Sequence, residues 1–281
     1  MNKVTLFDNS FSHAFSRNNG DIKILSKHII FDRNEIHDIV FYTDSFLKNN
    51  YVLNFKGKKN IAWILEPRSI DDTTYEQVIR NLNLYDYVIS HDKFFISYVN
   101  NINPKKGLLC DVGGTWIEEK DWNIYQKKKN TSIIASNKRS TNGHKLRHDI
   151  ISKYGNKIDS ILGRGYNPIT YKLEGLSDYR FSVTIENETD TFTEKLIDCL
   201  ITGTIPIYYG PSHIDKVFNI DGFLIINKIE DFGNITKDLN EEYYNSKIKI
   251  IEENFNLSLK YTNTEDLIYN THCDIIFANE N

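Results

Sequence analysis

Residues 179–211 read YRFSVTIENETDTFTEKLIDCLITGTIPIYYGP. Phe181, Val183 and Ile185 alternate with small or polar residues, which is the period of a strand. A polar stretch beginning at Glu186 leads into a helix predicted over 192–201, with Leu196, Ile197, Leu200 and Ile201 as its apolar stripe. Thr191 and Glu194 stand in the T-x-x-E spacing of a capping box, and Gly203 marks the stop. A second apolar run, 205–209, ends at Gly210-Pro211. Strand, helix and strand in this order are the signature of an α/β protein with a parallel sheet.

The pattern extends in both directions. Upstream, a strand at 132–135 precedes a helix at 143–154; downstream, a strand at 223–226 precedes a remainder, from Glu230 on, that reads as terminal helices. In the first half, strands are predicted at 4–7, 39–42, 61–65, 87–90 and 107–110, and helices at 72–82 and 92–99. Between the halves, residues 118–130 are polar and include Lys127-Lys128-Lys129, a run read as the solvated face of a linker. The expectation is two Rossmann-like domains, 1–125 and 126–281, facing a cleft. Ligands of open parallel sheets sit beyond the carboxyl ends of the strands, so the chemistry is sought there.

Composition narrows the classes. Of 281 residues, 40% are hydrophobic and 26% charged, enough for ordinary cores and unlike a disordered chain. The formal net charge of -4 argues against a general nucleic-acid binder. Three scattered cysteines, Cys110, Cys199 and Cys273, form no CxxC pair, so neither a zinc site nor a disulfide framework is expected and a reducing cytoplasm fits. No signal peptide and no transmembrane segment is read in the sequence. There is no GxGxxG, no P-loop and no HExxH, and Asp71-Asp72 reads as a helix start rather than a metal motif.

Three constellations could carry chemistry. Lys195 falls in the first turn of a predicted helix, where the dipole disfavours a cation; either a bound anion satisfies it or it points into solvent. Glu194 is either the capping-box glutamate or an acceptor for ribose hydroxyls. In SNKRSTNGHKLRHDIISKYG, residues 136–155, Arg147 falls inside the apolar stripe of Leu146, Ile150, Ile151 and Tyr154. A buried arginine needs a partner, either a protein carboxylate or a phosphate held bidentately. Ser136, Asn137 and the loop amides could add donors. The third is WILEPRS, 63–69, where Glu66 ends a strand and either faces the cleft or is a solvated strand-end glutamate. Asp92 reads as a helix N-cap and His91 as a loop residue.

Segment 181–211, as FSVTIEN, FTEKL and GTIPIYYG, resembles the donor-binding signature of glycosyltransferase family 10, the α-1,3/4-fucosyltransferases. Residues 136–155 resemble that family's upstream S-N…R block, and 171–173 with 179–180 its approach to the signature strand. WILEPRS with LYDYVIS resembles its acidic acceptor-domain segment, with Leu65-Glu66-Pro67 standing where Gly-Glu-Asn is typical. The resemblance implies a GT-B fold with C-terminal helices and an inverting transfer of fucose from GDP-fucose to a glycan hydroxyl, without a metal. It makes Arg147 and Lys195 ligands of the diphosphate and Glu194 a ribose contact. Asn187 and Glu186 would line the donor site, and Glu66 would be the general base. Two alternatives stay open: a GT-B transferase using another nucleotide sugar, and a non-catalytic glycan- or nucleotide-binding relative.

Overall fold

Alternation along the strands sets the two faces of the first sheet. The structure is a computed structural model and describes residues 1–8, 24–237 and 239–278. Strands β1 (Asn2–Phe7), β2 (Ile29–Asp32), β3 (Ile39–Tyr42), β4 (Lys59–Trp63), β5 (Tyr87–Ser90) and β6 (Gly107–Leu109) pair in the order β2-β1-β3-β4-β5-β6, all parallel. Val40, Tyr42, Ala62 and Val88 face helices α1 (Asp44–Lys48), α2 (Arg68–Arg80) and α3 (Lys93–Ile102), which bury Leu47, Tyr75, Val78, Phe95 and Val99 there. Their neighbours Phe41, Ile61, Trp63 and Ile89 face the other way and pack with Ile268 and Ile276 of the last helix, Thr264–Ile276. Both faces are therefore covered, as a parallel sheet requires.

Two elements differ from expectation in instructive ways. Helix α2 is assigned from Arg68, but Asp71 leaves helical backbone at φ -150°, ψ 74°. Its carboxylate accepts from the hydroxyls of Thr73 and Thr74 at 2.8 Å each. The regular turns thus begin at Asp72, where the sequence reading placed them. The strand read at 61–65 instead spans Lys59–Trp63, so Glu66 lies beyond the ladder.

The second sheet comprises β7 (Lys129–Ile134), β8 (Ser160–Leu162), β9 (Tyr179–Ile185), β10 (Ile205–Tyr209) and β11 (Leu224–Ile225), in the order β11-β10-β9-β7-β8 and again all parallel. Central β9 is buried along its whole length. Phe181, Val183 and Ile185 pack with Ile150 of α4 (Asn142–Tyr154), Phe232 of α6 (Ile229–Ile235), Tyr244 of α7 (Glu241–Ser246) and Ile251 of α8 (Ile248–Ser258). The alternate residues Ser182 and Thr184 are small and polar, and Thr184 Oγ1 lies 3.0 Å from Cys199 Sγ in α5 (Glu194–Leu200).

The chain divides into Met1–Gly114 with Asn263–Asn281, and Thr115–Thr262. The expected boundary at 125/126 is corrected at both ends. Residues 115–128 are no free linker, because they pack onto the second sheet. Ile117 belongs to the core of α5, and Trp122 Nε1 donates to the Ile117 carbonyl at 2.9 Å. Lys127, read as solvated, is buried, its Nζ donating to the Leu176 and Thr202 carbonyls and to Thr204 Oγ1 at 3.1, 2.7 and 2.9 Å. At the other end, the last helix (α9) belongs to the first unit through Ile268 and Ile276. Among the described residues no helix is long and apolar enough to cross a membrane.

Candidate functional site

Numbered within each sheet, the doubly wound orders are 2-1-3-4-5-6 in the first and 2-1-3-4-5 in the second, each reversing beside its first strand, and ligands of such sheets bind outside the carboxyl ends at that reversal. In the second unit the reversal lies between β7 and β9. The loops leaving it are residues 135–141 and 186–193, which with the helices that follow carry seven of the eight residues singled out from the sequence.

Gly143 sets the approach of α4. A Cβ there would meet the Glu186 carbonyl oxygen at 1.8 Å, so only glycine lets the helix lie against the end of β9. The Gly143 amide donates to the Asn187 carbonyl at 3.1 Å. One turn on, buried Arg147 donates from Nε to the Ile185 carbonyl at 3.2 Å, and from Nη2 to that carbonyl and to Asn187 Oδ1 at 2.9 Å. Its hydrogen-bond partners are thus a strand-end carbonyl and an amide rather than a carboxylate. Burial pushes its pKa down, opposed by the nearby charges of Glu186 and Glu194.

His144, which the sequence reading passed over, closes the helix start. Thr141 Oγ1 accepts from the His144 amide at 3.2 Å, and His144 Nδ1 accepts from the Thr141 amide at 3.3 Å. Burial, then the charges of Arg147, Lys138 and Lys195, push its pKa down to about 4, so the ring is neutral at pH 7.

The helix after β9 begins later than expected. Its cap is Thr193, whose Oγ1 accepts from the Lys195 amide at 3.5 Å, so the expected box of Thr191 and Glu194 does not form. Glu186, 1% exposed, explains why: its carboxylate accepts from the Thr193 amide at 2.9 Å and the Thr193 hydroxyl at 2.6 Å. With Phe192 fully buried as well, the chain cannot turn helical before Glu194.

Lys195 folds back over this start rather than pointing into solvent. Its Nζ donates to Thr193 Oγ1 at 2.9 Å and to Glu194 Oε1 at 3.2 Å, and lies 3.5 Å from Glu186 Oε2. A second lysine that sequence reasoning missed completes the group. Lys172 Nζ donates to buried Asp198 Oδ2 at 3.1 Å and lies 3.7 Å from Glu194 Oε1. Burial works against its charge, but Asp198, Glu194 and Glu186 outweigh it and its pKa is raised. A signal existed in the sequence: Glu194 and Asp198 are four apart on one helix face, where like charges repel unless a cation lies between them.

Ser136 and Asn137 lie on the loop after β7. Ser136 Oγ accepts from the Lys138 amide at 3.4 Å, and exposed Asn137 runs against Gly165, whose φ of +96° requires glycine. The structure therefore gathers Arg147, Asn187, Glu186, Glu194 and Lys195 around the end of β9 and the start of α5. Ser136 and Asn137, by contrast, lie on the loop after β7, the other loop leaving the reversal, and make no contact with that group among the interactions described.

Glu66 belongs to the first unit, three residues past the end of β4. Its backbone is held by the Tyr75 hydroxyl, which donates to the Glu66 carbonyl at 2.9 Å, and its side chain is half-buried. Asp92 caps α3 as expected, accepting from the Phe94 and Phe95 amides at 2.9 Å each, and His91 lies as expected in the loop between β5 and α3, where it is buried. Among the described residues, Asp32, Glu35 and His37 offer ligand atoms within 4.8 Å of one another, but Asp32 already pairs with Lys3 at 3.0 Å.

No family model matches the chain. A fucosyltransferase-like protein of Arabidopsis thaliana is 32% identical over 131 residues, 44% of this chain and 26% of that protein. The α-(1,3)-fucosyltransferase FucT of Helicobacter pylori is 24% identical over 242 residues, 71% of this chain and 47% of that protein. The chain thus spans about a quarter and about half the length of these two relatives. Among solved structures, an α1,3-fucosyltransferase with GDP superposes with a TM-score of 0.52 at 17% identity, covering 99% of this chain and 91% of that one. Anabaena Alr3699/HepE in complex with UDP-glucose superposes at 0.62 with 8% identity, covering 96% and 98%. The fold is GT-B. These identities establish the architecture; the chemistry rests on the site.

Proposed function

We propose that the chain is an inverting glycosyltransferase of the α-1,3/4-fucosyltransferase family, family 10, moving fucose from GDP-fucose to a glycan hydroxyl. The observation that carries this reading is the network of Arg147, Glu186, Asn187, Glu194 and Lys195 at the β7/β9 reversal. Its place at the carboxyl ends of the strands, where doubly wound sheets bind ligands, supports the reading, as does the similarity to FucT over 242 residues. The proposed step is a single displacement. The acceptor oxygen attacks the anomeric carbon, the carbon–phosphate oxygen bond breaks and GDP departs with the bonding electrons. Glu66 takes the hydroxyl proton as general base. Arg147 and Lys195 meet the charge that develops on the diphosphate. Glu194 accepts from the ribose, Glu186 and Asn187 hold Lys195 and Arg147, and Ser136 and Asn137 border the site. Fixed side-chain cations take the role a metal would have, and the free cysteines suit a reducing cytoplasm.

The test is incubation with GDP-fucose and a panel of glycans in EDTA, following fucose transfer and GDP release. Transfer from GDP-fucose is expected. Transfer from UDP-glucose in its place would favour another nucleotide sugar. Binding of GDP without turnover across the panel would favour a non-catalytic relative. Activity that needs a divalent ion would overturn the metal-free mechanism.

A further inference from the structure

Six ionic groups meet around the start of α5. Lys172, Lys195 and Arg147 are positive; Glu186, Glu194 and Asp198 are negative. The network is neutral as it stands, so an incoming anion must compete with carboxylates for its cations. The three cations are not equally free to change partner. Arg147 is buried and fixed to the end of β9. Lys172 is anchored by Asp198, which is 1% exposed and itself held by the Thr115 hydroxyl and by the Trp116 amide at 2.8 Å. Lys195, by contrast, is held by its neighbours Thr193 and Glu194 and by Glu186, at the rim of the network.

When Lys195 turns from Glu194 to a diphosphate, Glu194 loses a cation 3.2 Å away, one turn from the charge of Asp198. It also gains an anionic ligand nearby. Both changes favour its neutral form, and a neutral carboxyl is a weaker acceptor for ribose hydroxyls. Lys172 Nζ stands 3.7 Å from the same Glu194 oxygen and stays there because Asp198 holds it.

We propose that Lys172 is a positioning residue of this site, the fixed counter-cation that keeps Glu194 ionised and in place while Lys195 serves the diphosphate. The inference rests on the donor-site reading given above. It assigns the two lysines different duties: one exchanges partners during binding, the other does not.

The test is GDP-fucose affinity of the full chain, without acceptor, between about pH 5 and pH 8.5 at fixed ionic strength, for the wild type, Lys172→Gln, Lys172→Arg and Glu194→Gln; a diphosphate esterified at both ends lacks the terminal phosphate that titrates near pH 6. Glutamine keeps a hydrogen-bond donor for Asp198 but removes the charge. In Lys172→Gln the acidic limb of the affinity profile moves up by on the order of one pH unit, with near wild-type affinity at pH 8.5. Lys172→Arg keeps the wild-type limb, and Glu194→Gln loses it. An unchanged limb in folded Lys172→Gln, or equal weakening at every pH, overturns the inference. So does a limb that survives in Glu194→Gln, a measurement that does not depend on how Lys172→Gln folds. A wild type that fails to bind GDP-fucose overturns the donor-site reading, and this inference with it.

Discussion

The guanidinium of Arg147 is bonded to the carbonyl of Ile185, the last residue of β9, with Nε at 3.2 Å. Helix and strand end are thereby locked together by the residue proposed to meet the diphosphate. Arg147→Ala is therefore expected to lose on two counts. The Ile185 carbonyl is left buried without these donors, costing about 1–3 kcal/mol of stability, and GDP binding weakens as well. Thermal unfolding with and without GDP separates the two losses. A variant as stable as the wild type would contradict the structural half.

Lys195→Ala separates binding from folding more cleanly. The ammonium is part-exposed, and its loss leaves Glu186 still bonded to Thr193. Stability is expected to change little, while loss of a charge-assisted bond to the ligand costs about 1.5–3 kcal/mol of donor affinity. Calorimetric titration with GDP measures this, and wild-type affinity would remove Lys195 from the site.

Glu66→Gln keeps the shape of the side chain and removes its basicity. The turn around it is held through the backbone, by the Tyr75 hydroxyl on the Glu66 carbonyl, so the fold is expected to persist. Donor affinity should hold while the transfer rate falls by ~10²–10⁴-fold, the usual contribution of a general base. Near wild-type turnover would shift attention to Asp92 or His91. A collapse in donor affinity would mean that Glu66 serves the donor instead.

Lys127 predicts a pH dependence of stability. Burial pushes its pKa down to about 7 from an ordinary 10.5. Between those values the unfolded chain holds a proton that the folded chain has released, so stability rises with pH from about 7 upward. Lys127→Met removes that contribution. Denaturant midpoints at about pH 6.5 and pH 8.5 should therefore climb more in the wild type than in the variant. A difference that does not change with pH would mean that the three oxygens around Nζ hold the ammonium charged.

The sequence spoke clearly where one physical demand dominated. Strands β3, β5, β9 and β10 fall where alternation or a continuous apolar run placed them, because each is buried by its own side chains. The burial of Arg147 followed from helix periodicity alone. What stayed hidden depends on long-range partners. Strands β2 and β8 lie at the edges of their sheets, where β2 buries only Ile29 and Phe31 and no residue of β8 is fully buried, so neither makes a continuous apolar run. Thr193 outcompetes Thr191 as the cap because Glu186, seven residues upstream, takes both of its donors. Lys127 looks like part of a solvated charge run, yet only its neighbours Lys128 and Lys129 are exposed. Lys172 joins the site through Asp198, a contact spanning 26 residues that local spacing could not supply.

The way the chain closes its first sheet also fixes an order of birth. Ile268 and Ile276 cover the face formed by Val4, Leu6, Phe41 and Trp63, and His28 stacks on Tyr269 with ring centres 4.3 Å apart. Domains ordinarily fold as they leave the ribosome, N-terminal first. Here the unit that starts first must wait with an open apolar face until α9 has been synthesised. The unit holding the candidate donor site is one unbroken stretch, Thr115–Thr262, and can finish while its elder is still incomplete. The newborn chain thus carries a finished second unit and an unfinished first one, and throughout the interval the first sheet keeps one apolar face open to water.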